Sequence, residues 1–136
     1  MIVQIRNQFK NKPMVSSKKI LLVDDETDLL EALKETLEME GYIVSAHSNV
    51  DSALNHLRQQ PKNIDLVISD MRMPVKNGLD LAMSMRKELK LDTPFLMISG
   101  FADITEDDLK NACIKEFLAK PFTIDLFINK INQLMP

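Results

Sequence analysis

Three short runs of uninterrupted apolar residues constrain the fold of this chain more than any other feature. They occupy residues 20–23, 66–68 and 95–98. A strand with one solvent-exposed face alternates apolar and polar side chains, whereas a strand buried on both faces carries a continuous apolar run. The three runs therefore predict central strands of a sheet that other elements cover on both sides.

Segments with helical spacing lie between the predicted strands. Leucines recur at that spacing over residues 29–37, and the segment ends at Gly41, a residue type that commonly terminates helices. Further strands are predicted at residues 42–44 and 116–119, and the last helix at residues 124–134. Strand and helix alternate five times, which predicts an α/β fold in which a five-stranded parallel sheet carries helices on both faces.

The composition is typical of a globular domain. Of the 136 residues, 45% are hydrophobic and 27% are charged, and the formal net charge is -3. This charge gives no reason to expect nucleic acid or a membrane as partner, and no apolar run approaches the ~20 residues of a membrane span. The single cysteine, Cys113, fits a reducing, cytoplasmic location, and we expect its side chain to lie in the core.

The first 17 residues differ from the rest of the chain. They include Arg6, Lys10 and Lys12 but no acidic residue, and they show little periodicity. We therefore expect a flexible N-terminal arm over residues 1–17 and one domain over residues 18–136. Translation from Met1 and from Met14 are both compatible with this division. Because the chain ends just after the last predicted helix, we expect either a stand-alone domain or a fragment of a longer protein.

Side chains suited to chemistry follow four of the predicted strands. Asp24 and Asp25 come after the first strand, Asp70 after the third, Ser99 after the fourth and Lys120 after the fifth. The carboxyl ends of parallel strands open on one edge of the sheet, where ligands collect. Three carboxylates gathered there repel one another unless a cation joins them. Mg²⁺ suits such oxygen ligands, and Ca²⁺ remains open on these residues alone.

Each of these groups also has a structural explanation. Asp24, Asp25 and Glu26 can stabilise the start of a helix. Ser99 can belong to a turn, and Lys120 can be a solvated lysine. A shared functional site is favoured because every group falls at the carboxyl end of a strand.

Four sequence blocks extend this pattern. They are ILLVDDE, LVISDMRMPVKNG, FLMISG and EFLAKPF. In their order and spacing the chain resembles the response-regulator receiver domains of bacterial two-component signalling, over residues 19 to about 134. The resemblance implies a flavodoxin-like fold with strand order 2-1-3-4-5.

The resemblance also implies a role for each acidic residue. Asp70 would be the phospho-acceptor, taking a phosphoryl group from a histidine kinase or a histidine phosphotransfer protein. Asp25, Asp70 and the backbone carbonyl of Arg72 would bind Mg²⁺, and Asp24 would act mainly through water.

Three further residues would respond to phosphorylation. Ser99 would form a hydrogen bond to the phosphoryl group, and Lys120 would pair with it. Phe117 falls on the aromatic switch position of the family, and the Lys120–Pro121 bond would be cis. The signal would leave through the surface formed by the fourth helix, fifth strand and fifth helix.

The function implied by the resemblance is a phosphorelay switch. Such a domain is a signalling module that catalyses only its own phosphorylation and dephosphorylation, and it acts on a downstream protein target. We expect a monomer or a weak dimer.

Two other functions are alternatives for a chain with this acidic pattern. A magnesium phosphohydrolase of the haloacid-dehalogenase type also uses an aspartyl nucleophile, but it carries an Asp-x-Asp pair after its first strand. The adjacent Asp24 and Asp25 do not match that spacing. A pseudo-receiver that binds partners without phosphorylation is disfavoured by the complete acidic set.

Overall fold

The computed structural model describes residues 18–100 and 102–136. The predicted N-terminal arm, residues 1–17, lies outside the described residues. Strands and helices alternate along the described chain as follows: β1 Lys19–Val23, α1 Thr27–Met39, β2 Ile43–His47, α2 Val50–Gln59, β3 Leu66–Asp70, α3 Gly78–Lys87, β4 Phe95–Ser99, α4 Glu106–Asn111, β5 Glu116–Ala119 and α5 Ile124–Leu134. None of the helices in this part of the chain is long and apolar enough to cross a membrane.

The strands form one parallel sheet with the order β2-β1-β3-β4-β5. This order confirms the prediction from the sequence blocks. The register brings the carboxyl ends of β1 and β3 side by side, since Val23 lies opposite Ser69. In the same way Ser99, the last residue of β4, lies opposite Ala119 of β5. The polar residues that follow these strands therefore share one edge of the sheet.

Apolar side chains pack on both faces of the sheet. Alternate residues of β1 face opposite ways: Leu21 and Val23 belong to the cluster that includes α2 and α3, whereas Ile20 and Leu22 belong to the cluster that includes α1 and α5. All four are essentially inaccessible to solvent. Burying a side chain of this size contributes about 1.5–3 kcal/mol, so the two apolar layers hold the sheet edge in place.

Two helices near the functional edge begin with reciprocal capping boxes. Asn77 and Asp80 exchange side-chain and backbone hydrogen bonds at the start of α3. Thr105 and Asp108 do the same at the start of α4, which confirms the capping pair indicated by the sequence. These bonds satisfy backbone N–H groups that the first turn of a helix leaves free. Helix α4 has only six residues, and none of them is fully buried.

The expectation that Cys113 lies in the core is wrong. Its side chain is exposed, and its φ of 54° places it in the left-handed region just beyond α4. The turn directs Cys113 to solvent and buries its neighbours, Ala112 and Ile114, instead. The guanidinium of Arg86 fixes this turn by donating hydrogen bonds to the carbonyls of Ala112 and Cys113.

Candidate functional site

Three carboxylates meet at the carboxyl edge of the sheet. Asp24 and Asp25 follow β1, and Asp70 ends the neighbouring strand β3. One oxygen atom from each lies within 4.8 Å of the others. Asp24 and Asp70 are buried, and Asp25 is partly exposed. The sequence analysis placed these three residues in one site, and the structure brings them together.

Lys120 reaches the same cluster from the end of β5. Its Nζ lies 2.8 Å from Oδ1 of Asp70. Burial raises the pKa of Asp70, and the ammonium group of Lys120 counteracts part of that rise. For Lys120, burial alone would lower the pKa, but the hydrogen bond and the charge of Asp70 raise it above its usual value. Lys120 is therefore a charged partner that stays beside Asp70 at neutral pH.

The surroundings of Asp24 destabilise the charged form of its carboxylate. Burial and the charge of Asp70 raise its pKa to about 6, although its hydrogen bond from the backbone N–H of Glu26 opposes the rise. That bond, from Glu26 N to Asp24 Oδ1, measures 2.9 Å. A cation bound among the three carboxylates would relieve this cost, because it stabilises their charged forms.

Asp24→Asn should make the metal-free protein more stable at about pH 7.5. Folded Asp24 ionises near pH 6 and unfolded Asp24 near 3.8, so the free energy of unfolding of the wild type falls as the pH rises through that window. Asparagine removes the charge and keeps an acceptor for Glu26. We expect a gain of about 1–3 kcal/mol at about pH 7.5 and a smaller gain at about pH 4.5.

Urea unfolding in the presence of chelator at the two pH values measures this gain. A loss of stability at the higher pH, or equal gains at both, would contradict the burial argument. Added Mg²⁺ should shrink the advantage of the variant, because only the wild type then has its full set of carboxylates around the cation.

Ser99, at the end of β4, is almost fully buried. Its hydroxyl donates to the backbone carbonyl of Gly100 at 3.0 Å and lies 3.3 Å from Oδ2 of Asp103. The other oxygen of Asp103, Oδ1, lies 2.6 Å from Nη2 of Arg72. Asp103 was missed by the sequence analysis because it lies within a loop, where neither strand ends nor periodicity mark it.

Phe117 lies on β5, opposite Met97 of β4. Its ring is partly buried and packs against the core cluster on the α2 and α3 side. Ser99 and Phe117 therefore lie on adjacent strands near the same edge. The Lys120–Pro121 peptide bond is cis, as the sequence blocks implied.

A cavity of about 480 Å³ opens beside Asp25 and Asp70. It is lined by Asp25, Glu26, Asp70, Arg72, Gly100, Asp103 and Lys120. The cavity thus combines oxygen ligands for a hard cation with two cationic side chains. This arrangement can hold a divalent metal ion and an anionic group side by side. The carboxylate of Asp70 belongs to the acidic cluster and also contacts Lys120.

Comparisons with a family model and with known proteins identify response regulators as similar to this chain. The model of a family described as the response regulator receiver domain matches residues 20–132. The C4-dicarboxylate transport transcriptional regulatory protein DctD of Rhizobium meliloti is 35% identical over 124 residues, which are 88% of this chain and 26% of that protein. The response regulator receiver protein CpdR of Brucella abortus is 31% identical over 87% of this chain and 97% of its own length.

Several of the curated relatives are longer than this chain, which spans about half of their length or less. Among solved structures, the response regulator protein TrrA of Thermotoga maritima, in complex with Mg²⁺-BeF, is 35% identical. It matches with a TM-score of 0.73, covering 86% of this chain and 98% of that one.

Proposed function

This chain belongs to the response regulator receiver domain family, and we propose that its Asp70 is the phospho-acceptor of a two-component phosphorelay. One observation carries the proposal. The carboxylate of Asp70 is buried, lies 2.8 Å from Lys120 Nζ and shares an edge with two further carboxylates. Such a nucleophile is flanked by one cation and by a site for another, which is what phosphoryl transfer requires.

The residues around Asp70 fit Mg²⁺. Asp24, Asp25 and Asp70 offer oxygen atoms close enough to surround one ion, and Mg²⁺ prefers oxygen ligands and keeps several waters. We infer that Asp25 and Asp70 bind the ion directly together with the backbone carbonyl of Arg72, and that Asp24 acts through water. When bound, Mg²⁺ would neutralise charge on the transferring phosphoryl group.

The transfer itself needs little acid–base chemistry. A carboxylate oxygen of Asp70 attacks the phosphorus atom, and the bond from phosphorus to the donor breaks. With a phosphohistidine donor, the imidazole nitrogen keeps the electron pair of that bond. Lys120 stays beside Asp70 and would balance the negative charge carried by the oxygens of the transferring phosphoryl group. The domain would catalyse only this transfer and the later hydrolysis of the acyl phosphate.

Phosphorylation would then act as a switch through Ser99, Lys120 and Phe117. A phosphoryl group adds about -1.5 to -2 charge and three strong acceptors, which compete for the Ser99 hydroxyl. A charge-assisted hydrogen bond contributes roughly 1.5–3 kcal/mol, whereas moving a two-state equilibrium from 1:99 to 99:1 takes about 5.5 kcal/mol. Ser99 alone is therefore insufficient, and Lys120 must supply much of the rest.

The surface that carries the signal would be formed by α4, β5 and α5. Movement of Ser99 would vacate space into which the Phe117 ring can turn from the adjacent strand. The proposed partners are a histidine kinase or histidine phosphotransfer protein on the input side and a protein target on the output side. We propose a cytoplasmic monomer or weak dimer that contacts no nucleic acid through this domain.

Phosphorylation should depend strictly on the metal. Incubated with Mg²⁺ and acetyl phosphate, the protein should gain one phosphoryl group, and chelator should prevent the gain. Asp25→Ala should weaken Mg²⁺ binding at least tenfold because it removes a direct ligand. Isothermal titration measures the binding, and intact-protein mass measures the phosphoryl gain. Full labelling in chelator would contradict the metal assignment.

A phosphohydrolase predicts a different outcome from the same mixture. It would turn over many equivalents of a phosphate monoester, whereas a receiver domain stops at one phosphoryl group for each chain. The family match favours the second outcome.

A further inference from the structure

Asp103 contacts Arg72, which lines the acidic cavity, and Ser99, which immediately precedes the lining residue Gly100. Its Oδ2 lies 3.3 Å from Ser99 Oγ, whose one proton it shares with the carbonyl of Gly100 at 3.0 Å, and its Oδ1 pairs with Arg72 Nη2 at 2.6 Å. Arg72 belongs to the loop after β3, and Asp103 belongs to the loop after β4. This carboxylate therefore joins two of the loops that line the cavity, and it contacts the hydroxyl that would have to turn toward a phosphoryl group.

The charges around the cavity make this contact depend on the state of Asp70. The lining holds four carboxylates, one of them Asp103, and two cations, Arg72 and Lys120. A phosphoryl group on Asp70 would add further negative charge to the same space. It would repel Asp103 and offer stronger acceptors to both of its partners.

We propose that Asp103 is a latch that stabilises the unphosphorylated form by engaging the Ser99 hydroxyl and the Arg72 guanidinium before a phosphoryl group is present. The proposal rests on the function proposed for Asp70. Asp103 does not touch the reacting atoms, so it is a positioning residue that acts through its two partners. Phosphorylation would break the latch because Ser99 and Arg72 would exchange one carboxylate for the phosphoryl oxygens.

Loss of the contacts between Asp103 and its two partners would directly affect the position of α4. Asp103 lies two residues before Thr105, the N-cap of that helix. The helix is only six residues long and has no fully buried side chain, so little packing opposes its movement. A displaced Asp103 would therefore shift the start of α4, on the surface proposed to carry the signal.

The expected strength of the latch is modest. The Arg72 side chain is 79% exposed, whereas that of Asp103 is 17% exposed. Solvent weakens the ion pair on the Arg72 side, and the Ser99 hydroxyl divides its one proton between Asp103 and the carbonyl of Gly100. We expect removal of the latch to raise the population of the phosphorylation-competent form, and with it the phosphorylation rate, by a factor near the lower end of the about 5–150-fold range that is usual for coupled equilibria.

The test compares Asp103→Ala, Asp103→Asn and the control Asp92→Asn. Asp92 is exposed and precedes β4 at the opposite edge of the sheet, so the control removes the same charge far from the cavity. With Mg²⁺ and acetyl phosphate, Asp103→Ala should be phosphorylated about fivefold faster than the control. Asp103→Asn should be intermediate, because its amide oxygen can still accept from Ser99.

A second measurement separates a latch from a merely structural role. In the unphosphorylated variants, the amide resonances of Ser99 and Gly100 should move toward their positions in the beryllofluoride-treated wild type. The displacement should be larger in Asp103→Ala than in Asp103→Asn. General loosening of the loop would move these resonances in unrelated directions.

Failure of the proposed function and failure of the latch would give different results. If the wild type takes up no phosphoryl group, the proposed function is wrong, and so is the proposed latch. If the wild type is phosphorylated but both Asp103 variants match the control in rate and in amide resonances, the latch alone is wrong. Faster phosphorylation together with resonances displaced toward the beryllofluoride form supports it.

Discussion

Asp70→Asn is expected to abolish phosphoryl incorporation from acetyl phosphate. The amide that replaces the carboxylate has nearly the same shape but is a far poorer nucleophile, so the reacting oxygen is lost while the surroundings stay in place. Lys120 loses its ionised partner at 2.8 Å, but about a third of its side chain is exposed and water can solvate the ammonium group. The variant should therefore remain folded.

Intact-protein mass spectrometry of matched reactions measures this loss. Asp92→Asn is the matched control, since it makes the same chemical change at an exposed position outside the site. It should be labelled like the wild type. Equal labelling of Asp70→Asn and Asp92→Asn would mean that another residue accepts the phosphoryl group.

Gly78→Ala should destabilise the protein by about 1–3 kcal/mol, the usual cost of overpacking. Helix propensity alone predicts the opposite, since Ala is favoured over Gly inside helices by roughly 0.5–1 kcal/mol. The structure decides between the two effects. A Cβ on Gly78 would lie 2.5 Å from the backbone oxygen of Asp70 and 2.9 Å from the sulfur of Met97. The overlap with backbone cannot be relieved by a side-chain rotation.

The same substitution should slow phosphorylation, because the displaced carbonyl belongs to the acceptor residue itself. Gly100→Ala is the matched control for stability. Its Cβ would approach nothing closer than 3.4 Å, which is ordinary contact. Urea unfolding of both variants measures the difference. A Gly78→Ala protein as stable as Gly100→Ala would show that α3 is not packed as closely against the end of β3 as the structure describes.

The central strands could be predicted from the sequence because they are buried on both faces. Every residue of β3 and of β4 is buried, so their apolar runs are continuous. The edge strand β2 was located less accurately, at residues 42–44 instead of Ile43–His47. None of its residues is fully buried, and its polar Ser45 and His47 interrupt any apolar run. The strand order came from the sequence blocks, not from periodicity.

Residues at the site were predictable where strand ends mark them. Asp24, Asp25 and Lys120 follow strands and Asp70 ends one, so topology alone brings them together. Asp103 is different, because its partners are set by the path of a loop. The same holds for Arg86, which donates to the carbonyls of Leu91 and Thr93 at 2.8 Å each. Nothing in local sequence distinguishes such a residue from a solvated arginine.

The position of the phosphoryl group on the wild-type protein shows directly whether Asp70 is the phospho-acceptor. After reaction with Mg²⁺ and acetyl phosphate, the acyl phosphate can be trapped by reduction and located by tandem mass spectrometry of peptides. We expect a single modified residue, Asp70, and no modification when chelator is present. Modification of Asp24, Asp25, Ser99 or a histidine in place of Asp70 would contradict this assignment.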